Sequence, residues 1–135
     1  MKKLQFDNGI RELCINDNPN AVIRICTNDF SLPTRFQAMY DNVAKLLAEL
    51  EPSPEAFDKA DKEIRAQVDT LLGSPVSDTV FGSVNCLTNA GGQPIVINFL
   101  EAVLPFIEES VKSENEAAKQ RVSKYTEQLA DIPQE

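Results

Sequence analysis

The most constraining feature of this sequence is its apolar segment, which runs from Gln93 to Ile107. Large apolar side chains in it fall on every side of a helical wheel; they are Ile95, Val96, Ile97, Phe99, Leu100, Val103, Leu104, Phe106 and Ile107. Such a helix has to be buried nearly all round. The Gly91-Gly92 pair supplies a turn before it, and Pro94 suits the first helical position. We therefore expect a core helix that begins at Pro94.

Pro105 lies inside this segment. A proline in a helix interior removes the hydrogen bond to the carbonyl of Glu101 and clashes with that turn, at a cost of about 3 kcal/mol. We therefore expect a kink or a break at Leu104-Pro105 in a long C-terminal helix that covers 94–131.

Length and charge narrow the class of protein. The 135 residues suit one domain, 1–135, and the net charge is −8. No strong basic cluster is present, so nucleic acid and anionic membranes are disfavoured as partners. The first residues do not form a secretory signal, and the apolar segment is too short and interrupted to span a bilayer. With only three cysteines, no C-x-x-C and no histidine, we expect a cytoplasmic protein with reduced thiols.

Residues 3–26 show the alternation of β-strands. Leu4 and Phe6 alternate with polar residues, and Asn8-Gly9 is a strong signal for a tight turn. Two further runs, 10–15 and 21–26, are separated by the turn-forming residues 16–20. The pattern predicts a β-hairpin or a three-stranded β-meander.

The register of the hairpin follows from charge and apolar matching. Placing Ile15 opposite Ala21 pairs Glu12 with Arg24 and Leu13 with Ile23. The core face would then consist of Leu13, Ile15, Ile23 and Ile25. The same register keeps Cys14 and Cys26 apart, so they are interpreted as packing residues.

Two helices over 31–50 and 54–72 follow, and their short connection predicts an antiparallel pair. Asp29 or Ser31 is expected to cap the first helix, with Phe30 packing back on it. Ser53 is expected to cap the second helix, and Gly73 to end it. A short helix is expected at 77–82, capped by Ser77 and Asp78, and residues Val84, Cys86 and Leu87 are expected beneath the main helix.

These elements together predict an α+β fold. Its small antiparallel N-terminal sheet precedes a mostly helical layer, which ends in the long C-terminal helix kinked near Pro105.

No motif for catalysis is present. The chain has no histidine for general-base work, no G-x-S-x-G, and no Walker or Rossmann glycine pattern. Carboxylate pairs such as Asp58/Asp61 and Glu108/Glu109 are interpreted as solvated helix faces. We therefore expect no catalytic, cofactor-binding or metal-binding residues, and a protein that is not an enzyme.

A thin apolar seam continues beyond Pro105 at spacings of three and four residues. Its members are the candidate protein-binding residues Ile107, Val111, Ala118, Val122, Tyr125 and Leu129. Glu114 interrupts this heptad-like pattern and Ala118 contributes little to it. Two interpretations remain open, a stripe packed on the protein's own domain and a coiled-coil helix for a partner.

The order of these segments resembles a known family. The matching segments are the N-terminal hairpin, Thr27-Asn28-Asp29-Phe30, Arg35-Phe36, Val80-Phe81-Gly82, Gly91-Gly92-Gln93-Pro94, Phe99-Leu100-Glu101-Ala102-Val103-Leu104-Pro105 and Lys124-Tyr125. In this order the chain resembles small tail assembly chaperone or tail component proteins from prophages and siphophages of Gram-positive bacteria. The resemblance implies a non-enzymatic protein in the cytoplasm of the bacterial host. It also implies binding to the tape-measure protein, a long helical chain that must stay soluble during tail assembly.

The residues alone leave a second interpretation open. A small structural or regulatory protein would also be acidic and without catalytic motifs, and it would form homo-oligomers through its C-terminal helix.

Overall fold

The structure, a computed structural model, describes the backbone of residues 1–130 and the side chains of 1–113, 115–117 and 119–121. Its elements in chain order are β1 (Ile10–Ile15), β2 (Asn18–Cys26), α1 (Leu32–Glu49), α2 (Pro54–Leu72), α3 (Ser77–Phe81), β3 (Asn89–Ala90), β4 (Gln93–Pro94) and α4 (Ile95–Ala130). A small antiparallel hairpin therefore precedes a mostly helical chain, which is the α+β class that the sequence predicts.

The hairpin has the predicted register over most of its length. Glu12 lies opposite Arg24 and Leu13 opposite Ile23. The pairing of Ile15 with Ala21 was wrong, because Ile15 pairs with Asn18 and the register shifts after Cys14. The turn needs only two residues, Asn16 and Asp17, both with the positive φ of a tight hairpin turn. The β2 residues between Asn18 and Val22 are therefore not paired with β1, and they form a bulge.

The first nine residues form no strand, so the expected three-stranded meander over 3–26 is reduced to a hairpin that begins at Ile10. Side chains of this leading segment bend the chain just before β1. Asp7 Oδ1 accepts from the Gly9 N–H at 2.9 Å, and Asn8 Oδ1 accepts from the Ile10 N–H at 3.1 Å. Leu4 and Phe6 remain exposed.

Helices α1 and α2 begin close to their predicted positions. Ser53 accepts from the Ala56 N–H, and Gly73 ends α2 in the left-handed conformation, as predicted. At α1 the Ser31 side chain makes no capping hydrogen bond to the helix; it donates to Asp29 instead, at 2.8 Å. Phe30 was wrongly placed against α1, because its side chain is exposed.

The connector after α2 contains the expected short helix α3, which Gly82 ends. Its N-cap is Val76, with no side-chain cap, so the capping role expected of Ser77 and Asp78 was wrong. Cys86 is fully buried and Leu87 partly buried, but Val84 is exposed, so its predicted place beneath the main helix was wrong. Helix α4 begins one residue after the expected Pro94, directly behind the two-residue strands β3 and β4.

A single hydrophobic cluster holds these elements together. Its buried members are Ile23, Ile25, Leu32, Phe36, Met39, Val43, Ile64, Val68, Leu71, Leu72, Val76, Phe81, Cys86, Val96, Ile97, Leu100, Val103 and Ile107. Helix α4 contributes Val96, Leu100 and Ile107, three of the most deeply buried side chains, so its central role is confirmed. Burial is not complete on every side, because Phe106 is half-exposed. The helix is continuous through Pro105 rather than broken there.

Candidate protein-binding surfaces

The predicted binding residues on α4 divide into three groups. Ile107 is fully buried in the protein's own core, so the structure removes it from the contact surface. Val111 is partly buried against the same core. The side chains of Ala118, Val122, Tyr125 and Leu129 lie outside the described side chains, and their role stays a prediction.

Beyond Val111 the surroundings of α4 change. Every described side chain from Lys112 to Arg121 is exposed; the positions that continue the face of Ile107 and Val111, Glu114 and Ala118, are outside the described side chains. The helix nevertheless continues to Ala130, which adds roughly 28 Å at 1.5 Å per residue. In proteins, tertiary packing of an amphipathic face supplies most helical stability. This part of α4, residues 112–130, is called the distal helix.

Charges of both signs decorate the distal helix. Lys112, Glu116, Lys119 and Arg121 are exposed on it. A helix with a thin apolar seam and mixed flanking charge is typical of one that pairs with another helix.

A second surface is a groove of about 590 Å³ between the hairpin and the first half of α4. Its lining residues are Leu13, Cys14, Ile15, Asn16, Ile23, Val80, Ala90, Ile95, Asn98, Phe99, Ala102, Val103 and Phe106. Most of these side chains are apolar, and the ring of Phe99 is held against Phe81 with centroids 5.8 Å apart. Open grooves with such a lining are ordinarily filled by the apolar side chains of a partner.

Sequence reasoning missed a polar cluster between α2 and the connector. The guanidinium group of Arg65 is its centre. Arg65 Nε donates to Asp61 at 3.1 Å, and its two terminal nitrogens donate to Asp78 at 3.0 Å and to the carbonyl oxygens of Gly82 at 2.9 Å and Val84 at 2.7 Å. Its guanidinium carbon also lies 5.5 Å from the ring centroid of Phe81. One side chain thus secures the end of α3 and the loop that follows it.

Two aspartates complete the attachment of the connector. Asp61 Oδ1 accepts from the Cys86 N–H at 2.8 Å. Asp69 accepts from the Val76 and Ser77 N–H groups, at 2.9 and 2.7 Å, and from the Ser77 hydroxyl at 3.0 Å. Asp61, Arg65 and Asp69 follow one another at a spacing of four residues, so α2 presents them as one polar stripe along the connector.

The pKa values of this cluster reflect its partial burial. Burial by itself would raise the pKa of Asp61, but hydrogen bonds from Cys86 and Arg65 outweigh that effect and leave the pKa below its ordinary value. Burial likewise opposes the charge on Arg65, yet Asp61 and Asp78 raise the pKa of Arg65. Burial, reinforced by Asp61, raises the pKa of the Cys86 thiol to about 12. A thiol held in this protonated form is a poor nucleophile.

The cluster is therefore structural. The buried polar side-chain atoms in the described part of the chain all have hydrogen-bond partners. Interpreting Asp61 as a solvated residue was wrong, because its partner Cys86 lies 25 residues away in the sequence. The four-residue spacing from Asp61 to Arg65 and Asp69 was the only local signal for this arrangement.

Two other kinds of site were considered among the described residues. No group of three or more Cys, Asp or Glu side chains there is arranged to hold a metal ion. None of the helices in that part of the chain combines the length and apolar character needed to cross a membrane.

Comparisons with protein-family models, curated proteins and solved structures found no match to this chain.

Proposed function

We propose that this protein is a non-enzymatic binding protein of phage tail assembly, which acts in the cytoplasm of the bacterial host. Its client is the helical tape-measure protein, and the distal helix of α4 is the contact surface. The family resemblance of the sequence suggests the client, and the course of α4 suggests the surface.

The observation that carries this proposal is the change in α4 at Val111. Up to that residue the helix supplies the core, while the described side chains from Lys112 to Arg121 are all exposed. The sequence seam continues through this region with Val122, Tyr125 and Leu129. A helix whose described side chains beyond Val111 are exposed and whose sequence keeps an apolar seam suits a helical client, which can pair with it through residues spaced by three and four.

Reversible binding is consistent with the composition of the distal helix. The seam holds few large side chains, and charged residues flank it. Binding energy concentrates in a few buried aromatic or aliphatic anchors, so a seam with Tyr125 and Leu129 as its largest members holds a client without trapping it. Release is required, because the chaperone has to give way to tail protein as the tail is built.

The test is co-expression of the tape-measure protein with the full-length chain. The double variant Val122→Asp and Leu129→Asp should move the tape-measure protein from the soluble fraction to the pellet. The matched control is Ala117→Asp with Gln120→Asp, which adds the same charge at exposed positions of the same helix and should keep the client soluble.

Other outcomes separate the alternatives. Client that stays soluble with the seam variant contradicts the proposed contact. If the isolated wild-type protein is an oligomer that the seam variant converts to a monomer, and no client is retained by either, the seam joins copies of the chain instead.

A further inference from the structure

We propose that the groove between β1 and α4 accepts residues 2–7 from a second copy of the chain as an added β-strand. Two copies would then exchange their leading segments. The groove is a different surface from the distal helix, and the exchange of leading segments does not depend on the tape-measure client.

Strand β1 has a free edge. Among the described residues the sheet contains only β1 and β2, so one side of β1 has no strand partner. Backbone N–H and C=O groups on such an edge are a template for another extended segment. Recognition by strand addition combines these backbone hydrogen bonds with pockets for alternate side chains.

The groove lies along this free edge. Four consecutive β1 and turn residues, 13–16, line it, whereas β2 contributes only Ile23. Its opposite wall is α4, from Ile95 to Phe106. The space is therefore bounded by the turn end of β1 on one side and by an apolar helix surface on the other, so it can accept alternate apolar side chains of an extended peptide.

The leading segment has the properties of the missing strand. Leu4 is 87% exposed and Phe6 is 73% exposed, and no described strand contains them. In an extended chain, residues two apart point to the same side. Leu4 and Phe6 would therefore both enter the groove, while Lys3 and Gln5 would face solvent.

The geometry before β1 favours a second copy over the same chain. The type I′ turn that an Asn-Gly pair favours, which would fold the segment back on its own β1, needs a positive φ at both residues. Gly9 has a φ of 81°, but Asn8 is not among the residues with positive φ. The hydrogen bonds from Gly9 to Asp7 and from Ile10 to Asn8 maintain this conformation. In this conformation the segment forms no strand on its own β1, and Leu4 and Phe6 stay exposed.

Charge also favours this occupant. The leading segment contains Lys2, Lys3 and Asp7, so it carries a net +1 of the chain's −8, and the remaining residues carry −9. A second copy therefore presents a basic segment to an acidic body, and complementary charge promotes the encounter.

The first experiment measures the mass of the full-length protein by sedimentation over a range of concentrations. We expect a dimer whose dissociation constant rises at least about 100-fold in the double variant Leu4→Ser and Phe6→Ser, because each exchanged segment loses two buried apolar side chains. Phe30→Ser, an exposed phenylalanine outside the groove, should leave the dimer unchanged. A monomeric wild type, or a dimer that persists in the double variant, would overturn the proposal.

The second experiment uses the native Cys14, whose side chain is exposed and, by the alternation along β1, points to the face opposite to Leu13 and Ile15. Lys3 or Gln5 of an added strand would share that face, so Lys3→Cys or Gln5→Cys should form a disulfide with Cys14 between two copies under mild oxidation. Non-reducing electrophoresis should show a covalent dimer that disappears when Cys14→Ser is added. A disulfide that forms within one chain would overturn the assignment to a second copy.

Discussion

Arg65 and Asp61 form an ion pair one helical turn apart on α2, with Nε and Oδ1 separated by 3.1 Å and side chains only 13% and 15% exposed. The same helix contains a second pair of identical spacing. Lys62 and Asp58 approach to 3.2 Å, but their side chains are 76% and 69% exposed. The two pairs share the same helical spacing and differ in burial, so any difference in their contribution to stability comes from burial.

Removing the buried positive charge of Arg65 should destabilise the protein. Arg65→Met should lower the free energy of unfolding by about 2–4 kcal/mol, because it leaves Asp61 and two carbonyl groups without their donor. Lys62→Met should change it by no more than about 0.5 kcal/mol, since exposed pairs contribute little. Urea denaturation monitored by circular dichroism measures both. Equal effects would show that the Arg65 cluster does not secure the connector.

Acid should weaken the fold through Asp61. A carboxyl group whose pKa is lower in the folded state stabilises the protein above its ordinary pKa of 3.8, and that contribution is lost as the pH falls through the lower folded-state value. Asp61→Asn should therefore be less stable than wild type near pH 7, and the difference should narrow below about pH 4.

Denaturation series at pH 7, 5, 4 and 3 measure this narrowing. Asp58→Asn, in the exposed pair, reports the general effect of losing one carboxylate from α2. A difference between wild type and Asp61→Asn that stays constant across the series would contradict the assignment.

The sequence predicted the parts of the fold that depend on local pattern. Alternation and the match of Glu12 with Arg24 were enough to find the register of the hairpin. The failure at Ile15 arose because the turn residues 16–20 all favour turns, and composition does not say that Asn16 and Asp17 alone make the turn. Leu4 and Phe6 alternate with polar residues as in a β-strand, but this alternation does not show whether a neighbouring strand is available to pair with them.

The sequence pattern could not predict the long-range polar contacts. Asp61 and Arg65 look like an ordinary charged pair on a helix, and nothing local distinguishes them from Asp58 and Lys62. Their burial depends on the connector folding back over α2, which joins Arg65 to Val84 across 19 residues. Of the predicted binding seam, the structure places Ile107 in the core and Val111 partly against it.

The three thiols should react at different rates. Cys14 is exposed, Cys26 is partly buried, and Cys86 is fully buried with its pKa raised to about 12. Only the thiolate reacts readily with iodoacetamide, so Cys86 should remain unmodified at pH 8 while Cys14 is alkylated first. Mass spectrometry after timed labelling measures the order, with unfolded protein in urea as the control in which all three react. Alkylation of Cys86 as fast as Cys14 in the folded protein would contradict the packing around α4.

Pro105 should lower the stability of the protein, and replacing it with alanine should raise that stability. The helix is continuous through Pro105, which is exposed, so its ring contributes little packing while the carbonyl of Glu101 lacks its helical donor. Pro105→Ala should raise the free energy of unfolding by about 1–2 kcal/mol, after the greater freedom of the unfolded alanine chain offsets part of the gain.

Pro54 is the matched control, because it lies in the first turn of α2, where no helical hydrogen bond is lost. Pro54→Ala should therefore be neutral or slightly destabilising. If Pro105→Ala destabilises the protein instead, the conformation of α4 at Pro105 is required by the fold, and small-angle scattering of the variant should show a change in the length of the particle.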